Sequence, residues 1–553
     1  MLTPHRTAAI LIFPAIAYLG AGCERTEAPT EARLMASVAD PARLLVDDDL
    51  IECPTAQYTS IQMAVTAAQP GDHIDVCPGT YKEQVIIPAG KDNIRLRSTR
   101  QWAAVIKAPM VMAPDMGSDA GYFTILHVEG AQNITILAFT ITGPGPGSCG
   151  SLHYGVRVDN GGSADILGNH ITDIRDQYRA PPDPFAGQPS GCQNGMGVVV
   201  GGHYNDVGGF STGSARIEGN LVEKYQKNGV VVGGSGSSAV IAANRVFGFG
   251  PTSGIAQNGI EVLQDATAQV KHNFSSGHVY TGPTVDEATG VLPYFAGTAD
   301  INHNTVAQND VGVYVFESGT GSLTSLNHNR TRSSTFDGIV LDLTDNVTVQ
   351  ENFTEQNRGP GIGLYEGAST NMVENNQVER NSTNFNSADC PITFPLPGCF
   401  GGGILLHDAS SNTVRGNHIR NNGTNPMADN TDGIRVNEPS MGNTIQGNHL
   451  RGNVRHDCHD ATMGPGTAGT ANSWVDNHGE TSSPMGLCSD PDPQDDFAVT
   501  AGWDPSYPWY SSYDGLATDY DWPSLYSAID AQIQGLLDLL PQLGVGGVRR
   551  PSP

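Results

Sequence analysis

Two short patterns recur through the middle of this chain, and their spacing constrains the fold more than anything else in it. The first is an asparagine placed just ahead of a short apolar-alternating stretch. It appears at Asn169, Asn220, Asn244, Asn273, Asn304, Asn329, Asn352, Asn376, Asn417 and Asn448, with successive gaps that include 24, 25, 23 and 24 residues. The second is a glycine followed by alternating apolar residues: GVRV from Gly155, GVVV from Gly229, GIEV from Gly259, GVYV from Gly312, GIVL from Gly338, GIGL from Gly361, GILL from Gly403 and GIRV from Gly433. Self-similarity at a fixed period of this length marks a solenoid. A unit of about 22 residues with three short strands makes one coil of a parallel β-helix, its strands stacked ~4.8 Å apart with β-branched residues inside. A leucine-rich repeat would need a leucine consensus that is absent. The recurrent asparagine suits a tight turn, and its amide can bond the same residue one coil on, forming a ladder.

The block ahead of the repeats reads as the closed end of such a stack. In IQMAVTAAQPGDHIDVCPGTY, from Ile61 to Tyr81, the residues Ile61, Ala64, Val65 and Ala68 share one face of a short helix. Pro70-Gly71-Asp72 ends that helix, and Ile74 and Val76 alternate as a strand. A helix over the open end of a sheet stack hides its unpaired edge. This block closely resembles the N-terminal cap and first coil of pectin-lyase-like proteins. That resemblance implies an all-β, right-handed parallel β-helix, a three-sheet solenoid of about ten or more coils, and a superfamily of polysaccharide lyases, uronan epimerases and pectin methylesterases. The helical domain runs from 51 to 488, ending in a segment closed by Cys488. Residues 489–553 form an acidic, aromatic tail, in which Leu525 to Leu543 is a candidate amphipathic capping helix.

The N-terminus reads as an export signal over 1–22: His5 and Arg6, then an apolar run from Ala8 to Ala21, too short to span a membrane as a mature helix. Gly22-Cys23 resembles a lipobox, which implies acylation of Cys23 and a polar tether over 23–50. Without Cys23 the nine cysteines leave eight, in local couples: Cys53 with Cys77, Cys149 with Cys192, Cys390 with Cys399, and Cys458 with Cys488. Spacing alone leaves about 105 pairings open, yet an even set behind a signal peptide reads as disulfides in an oxidising compartment. No pair has CxxC spacing, so no cysteine zinc site is assigned. A formal charge of −28 argues against nucleic acid and against an acidic membrane surface, leaving membrane contact to the lipid alone. A polyanionic glycan stays open if a cation such as Ca²⁺ bridges the charges. The chain is expected to be a monomer.

Insertions at 143–153, 176–194, 278–299, 382–400 and 424–432 nearly all fall between the asparagine arm and the glycine arm. They emerge from one corner of successive coils and are expected to wall a groove over the glycine-led sheet. Strand alternation then names the residues that point outward. One column runs Arg157, Val199, Val231, Glu261, Tyr314, Val340, Gly363, Leu405, Arg435; the other runs Asp159, Gly201, Gly233, Leu263, Phe316, Asp342, Tyr365, His407, Asn437. The N-terminal half of this face reads as bare and apolar. The C-terminal half collects catalytic candidates Glu261, Asp342, Tyr365, His407 and Arg435, with Tyr314, Phe316 and Asn437 as sugar-binding candidates.

Two chemistries fit that set. A lyase or epimerase needs a base near C5 of a uronic acid and a cation for its carboxylate, which Arg435 with His407 or Tyr365 would supply. A hydrolase needs two carboxyls, such as Glu261 and Asp342. RHDCHD, from Arg455 to Asp460, offers His456, Asp457, His459 and Asp460 as metal ligands, but its place beside Cys458 at the end of the stack reads as structural, and no metal is assigned. The motifs of mannuronan epimerases, pectate lyases and polygalacturonases are missing. The expectation is a cell-surface protein that binds, and cleaves or epimerises, a polysaccharide; the alternative is a non-catalytic glycan-binding, adhesin or spacer protein.

Overall fold

The computed structural model describes residues 41–489 except 116–120, 203–210, 285, 318–322, 383–400 and 424–430. The expected signal peptide, Cys23, the expected couple Cys390 and Cys399, and the tail with its candidate helix all lie outside the described residues. Within them the chain winds through three parallel sheets of 15, 14 and 13 strands. It is a right-handed parallel β-helix. The α-helix is Ile61–Ala67. Ser60 caps it, and Glu83 accepts from the Ile61 and Gln62 amides at 2.8 and 2.9 Å. Ile61, Ala64, Val65 and Ala68 are fully buried. The stack starts earlier than expected: Arg43–Val46, inside the stretch read as tether, pairs in register with His73–Val76.

Each coil places a chemically equal residue on the same interior spot. Val156, Val198, Val230, Ile260, Val291, Val313, Ile339, Ile362, Ile404 and Ile434 stack in register, and all are fully buried. Burial of each such side chain contributes about 1.5–3 kcal/mol. The glycine ahead of each strand is required by crowding rather than by a left-handed backbone. A Cβ on Gly259 would lie 2.4 Å from the carbonyl oxygen of Gly290, and one on Gly312 would lie 2.4 Å from that of Gly338.

The asparagine ladder is present and continues to Asn477. In its middle, Asn304 Nδ2 donates to Asn329 Oδ1 at 2.9 Å and to the Val270 carbonyl at 2.8 Å, while Asn304 N donates to the same Asn329 Oδ1 at 3.0 Å. One detail departs from expectation. The left-handed residue is the one just before each ladder asparagine, as at Ala243, His272, His303, His328 and Glu351. The asparagine itself leaves that geometry to its neighbour and spends its amide on the ladder. Two further ladders run Asn371–Asn412–Asn443–Asn472 and Asn357–Asn381–Asn422–Asn453, the second ending on Asp457 Oδ1. Disulfides join Cys53 to Cys77, Cys149 to Cys192, and Cys458 to Cys488.

Candidate functional site

Strand register confirms both outward columns of the glycine-led sheet. Tyr314, Val340, Gly363, Leu405 and Arg435 follow one another on successive rungs, and beside them Phe316, Asp342 and Tyr365 do the same. The segment 278–299, read as an insertion, contains a missed rung, Thr289–Tyr294, which adds Leu292 and Tyr294 to the columns. Pro293 disguises its alternation, but Gly290-Val291 carried the glycine-led signal. Pointing outward does not mean exposed: Val199, Val231 and Leu405 are fully buried, and Glu261, Asp342 and Tyr365 nearly so.

At the centre of this face two phenols clasp two carboxylates. Tyr314 Oη donates to Asp342 Oδ2 at 2.6 Å, and Tyr365 Oη donates to Asp337 Oδ2 at 2.6 Å. The Tyr365 ring lies back over Gly363, where a Cβ would fall 2.3 Å from its Cε2. Glu287 joins them from the chain entering the missed rung. Asp310 holds that chain in place, accepting from Tyr280 N at 2.7 Å, Ala288 N at 3.1 Å and Thr335 Oγ1 at 2.6 Å. Both carboxyl oxygens of Glu287 are out of solvent, and no hydrogen bond reaches them among the described residues. Burial, then the charges of Asp337, Asp310 and Asp342, pushes Glu287 well above the usual carboxylate range. Burial also lifts Asp342 to about 6, against the Tyr314 bond and with help from Glu366 and Glu317. Tyr294 and Phe316 stack at 5.2 Å and 11°, half-buried, in the same column as Asp342.

Glu261 stands apart. Its Oε2 accepts from Asn228 Nδ2, and burial raises its pKa to about 7 despite the pull of Lys227. Glu261 lies three rungs from Asp342. At ~4.8 Å per rung that is about 14 Å, beyond the ~6.5–9.5 Å that separates an inverting carboxyl pair. The carboxyl pair expected from the sequence is therefore not brought together; the charges that act on Glu287 include Asp337 and Asp342.

The C-terminal candidates form a separate group. Arg435 Nη1 donates to Asp432 Oδ2 at 2.8 Å and its Nε to Asn437 Oδ1 at 2.7 Å. Asn437 Nδ2 lies 3.5 Å from His407 Nδ1, and burial lowers the His407 pKa. Burial would raise Asp432, but the bonds and charges of His459 and Arg435 outweigh it and hold the carboxyl near 2. Tyr365 is two rungs from Arg435 and engaged with Asp337, so these two are not assembled as base and cation. Of RHDCHD, His456 and His459 turn to Asp432, at 2.9 and 3.0 Å. Asp457 instead accepts from Asn453 Nδ2 and Glu480 N, and Asp460 from Thr462 Oγ1 and Trp474 Nε1.

The N-terminal half of the face is not bare. His127 Nε2 lies 2.7 Å from Asp159 Oδ1, and Arg157 Nε lies 2.8 Å from Asp159 Oδ2, all three buried together with Asp115. Burial alone would lower His127, but Asp159 and Asp115 raise it. His127 sits in Thr124–Glu129, a rung with no leading glycine, so the repeat pattern did not point to it. Among the described residues the close all-carboxylate group is Asp47, Asp48, Asp49 and Glu52, at the start of the stack.

A solenoid with an acidic and aromatic cluster on one sheet is the class that this geometry defines. The family described as "right handed beta helix region" matches residues 197–385 and 289–477, together just over half of the chain, and the protein belongs to it. No curated protein sequence matches. Among solved structures, the catalytic unit of a GH87 α-1,3-glucanase from Streptomyces thermodiastaticus is 12% identical with a TM-score of 0.40, over 76% of this chain and 66% of that one. A GH136 lacto-N-biosidase from Eubacterium ramulus is 15% identical with a TM-score of 0.45, over 68% of each chain. The A-module of mannuronan C-5 epimerase AlgE6 from Azotobacter vinelandii is 14% identical with a TM-score of 0.35, over 76% of this chain and 93% of that one. At these identities the likeness is one of fold.

Proposed function

We propose that this is an exported, cell-envelope protein that lays a polysaccharide along the glycine-led sheet and cleaves it by acid–base catalysis at Glu287, Asp337 and Asp342. One observation carries the reading: the stacked, half-buried rings of Tyr294 and Phe316 run directly into Asp342 on the next rung. Aromatic faces bind sugar rings, and a carboxyl with a raised pKa beside them suits proton transfer to a glycosidic oxygen. The groups that shift Glu287 and Asp342 are acids and the Tyr314 hydroxyl, with no cation among them. Such a site repels an anionic sugar, which favours a neutral glycan. The uronan reading would depend on Arg435, whose guanidinium already serves Asp432. The disulfides fit an oxidising compartment, consistent with export and a lipid anchor at Cys23.

The test is a panel of neutral and uronic polysaccharides, read both by new reducing ends and by the ultraviolet absorbance of unsaturated products. The expected result is reducing ends from a neutral glycan, falling roughly 100-fold or more in Glu287→Gln and Asp342→Asn. Unsaturated products from a uronan would establish the lyase reading instead. Binding without turnover across the panel would establish the non-catalytic surface role.

A further inference from the structure

We propose that Asp432, His456 and His459 hold one divalent first-row transition ion at the C-terminal end of the glycine-led sheet. This does not rest on the glycan reading. Asp432 precedes Gly433 on one rung, and His459 lies on the next, paired in register with Arg435. The segment from His456 to His459 is pinned between its two histidines. Cys458 is tied to Cys488, and Asp457 accepts from Glu480 N at 2.8 Å and from Asn453 Nδ2 at 2.9 Å. The Asp432 carboxylate is fully buried, so its charge must be met inside the protein.

Three donor atoms, one from each residue, lie within 4.8 Å of one another. His456 Nδ1 is 2.9 Å from Asp432 Oδ1, and His459 Nδ1 is 3.0 Å from Oδ2. On an ion with bonds of ~2.1 Å two ligands stand about 3.0 Å apart at right angles and about 3.4 Å apart at the tetrahedral angle. A shared proton would give the same separation, so the rest of the geometry must decide. Arg435 Nη1 donates to Asp432 Oδ2 at 2.8 Å and lies 3.1 Å from His459 Nδ1. A guanidinium only donates, and this one is spent on the carboxylate. The single lone pair of a neutral His459 Nδ1 can then go to a cation, with Arg435 as outer partner of the same carboxylate oxygen.

Ring orientation points the same way. Histidines of neighbouring rungs overlap at low to moderate angles, His418 on His449 at 10°, His449 on His478 at 20° and His272 on His303 at 37°. His456 and His459 instead cross at 83°, with both Nδ1 atoms turned to one carboxylate. The two histidine side chains keep 26% and 12% of their surface exposed, which leaves an entry path and room for a water ligand. Two imidazoles and a carboxylate suit Zn²⁺ and its neighbours, whereas Ca²⁺ prefers an all-oxygen shell.

The experiment uses the full chain, dialysed against chelator, then titrated calorimetrically with Zn²⁺ and followed by visible absorption with Co²⁺. We expect one ion per chain that Ca²⁺ does not displace, and a Co²⁺ ligand-field spectrum. Affinity should fall roughly 100-fold or more in His456→Ala and in His459→Ala. Asp432→Asn alters a buried group on which folding draws; His456→Ala, at a partly exposed side chain, keeps the test sound, with the far-ultraviolet spectrum as the folding control. Equal Zn²⁺ binding by wild type and the double histidine variant, or no Co²⁺ spectrum, would overturn the proposal and leave an ordinary imidazole–carboxylate cluster.

Discussion

Tyr314 and Asp342, on adjacent rungs of one sheet, share a 2.6 Å hydrogen bond from phenol to carboxylate. That bond lowers the Asp342 pKa while burial and the charges of Glu366 and Glu317 raise it, with a net value of about 6. Tyr314→Phe therefore moves Asp342 further up. Carbon-13 titration of the Asp342 carboxyl in both proteins checks this; an unchanged or lower value in the variant refutes it.

The same carboxyl costs stability when it ionises. Its folded pKa lies above the unfolded value of 3.8, so the proton favours the folded state, and the advantage is lost as pH rises from about 4 through 6. Asp342→Asn is expected to raise the melting temperature at pH near 8 and to leave it almost unchanged near 4. A variant destabilised at both pH values would mean that the ionised carboxylate is a structural partner.

His278 works in the opposite sense. It is fully buried, with Nε2 against the Tyr225 hydroxyl and Nδ1 2.7 Å from Asn309 Oδ1. Burial lowers its pKa to about 4, only partly opposed by Asn309. A depressed base binds its proton more readily unfolded than folded. Its contribution is complete above about 6.5 and drains away as pH falls toward 4, by up to about 3 kcal/mol. Urea unfolding across this window should show the loss, and His278→Gln should flatten the slope.

Asn304→Ala cuts the ladder at its middle. It removes the Asn304 Oδ1 acceptor of Asn273 N and Nδ2, of which Nδ2 keeps the Ile241 carbonyl, and one donor to the Val270 carbonyl in a buried row. A cost of roughly 1–3 kcal/mol is expected from the unmet amide. Equilibrium denaturation measures it, and a loss below about 1 kcal/mol would show that the ladder adds little.

Peptide mapping of the unreduced protein should recover Cys53 with Cys77, Cys149 with Cys192, and Cys458 with Cys488. Cys390 and Cys399 are expected to pair with each other, since only eight residues separate them. Any peptide crossing between these couples contradicts the assignment.

The repeat was legible because every rung presents the same surroundings to the same residue. Gly259 must be glycine because the next rung's carbonyl oxygen occupies the place of its Cβ, and Asn304 must be asparagine because only an amide can both donate up the row and accept from below. Alternation in the strands likewise assigned Tyr314, Phe316, Asp342 and Tyr365 to one outer face. The residues that escaped lie where that regularity is broken. Glu287 sits in an irregular entry to a rung, Tyr294 follows a proline, His127 belongs to a rung without its glycine, and Asp432 stands one place ahead of the strand motif.

By itself, then, the amino-acid order determined the coil, its interior and the direction in which each strand side chain points, because these depend on backbone geometry repeated at short range. Which outward residues meet was decided only by tertiary structure. Asp337 and Tyr365, 28 residues apart, touch because a ring lies back over Gly363, and Asp432 meets His456 and His459 because the next coil returns in register beside it. Those partnerships depend on how many residues each coil spends at its corners, and local pattern does not encode that length.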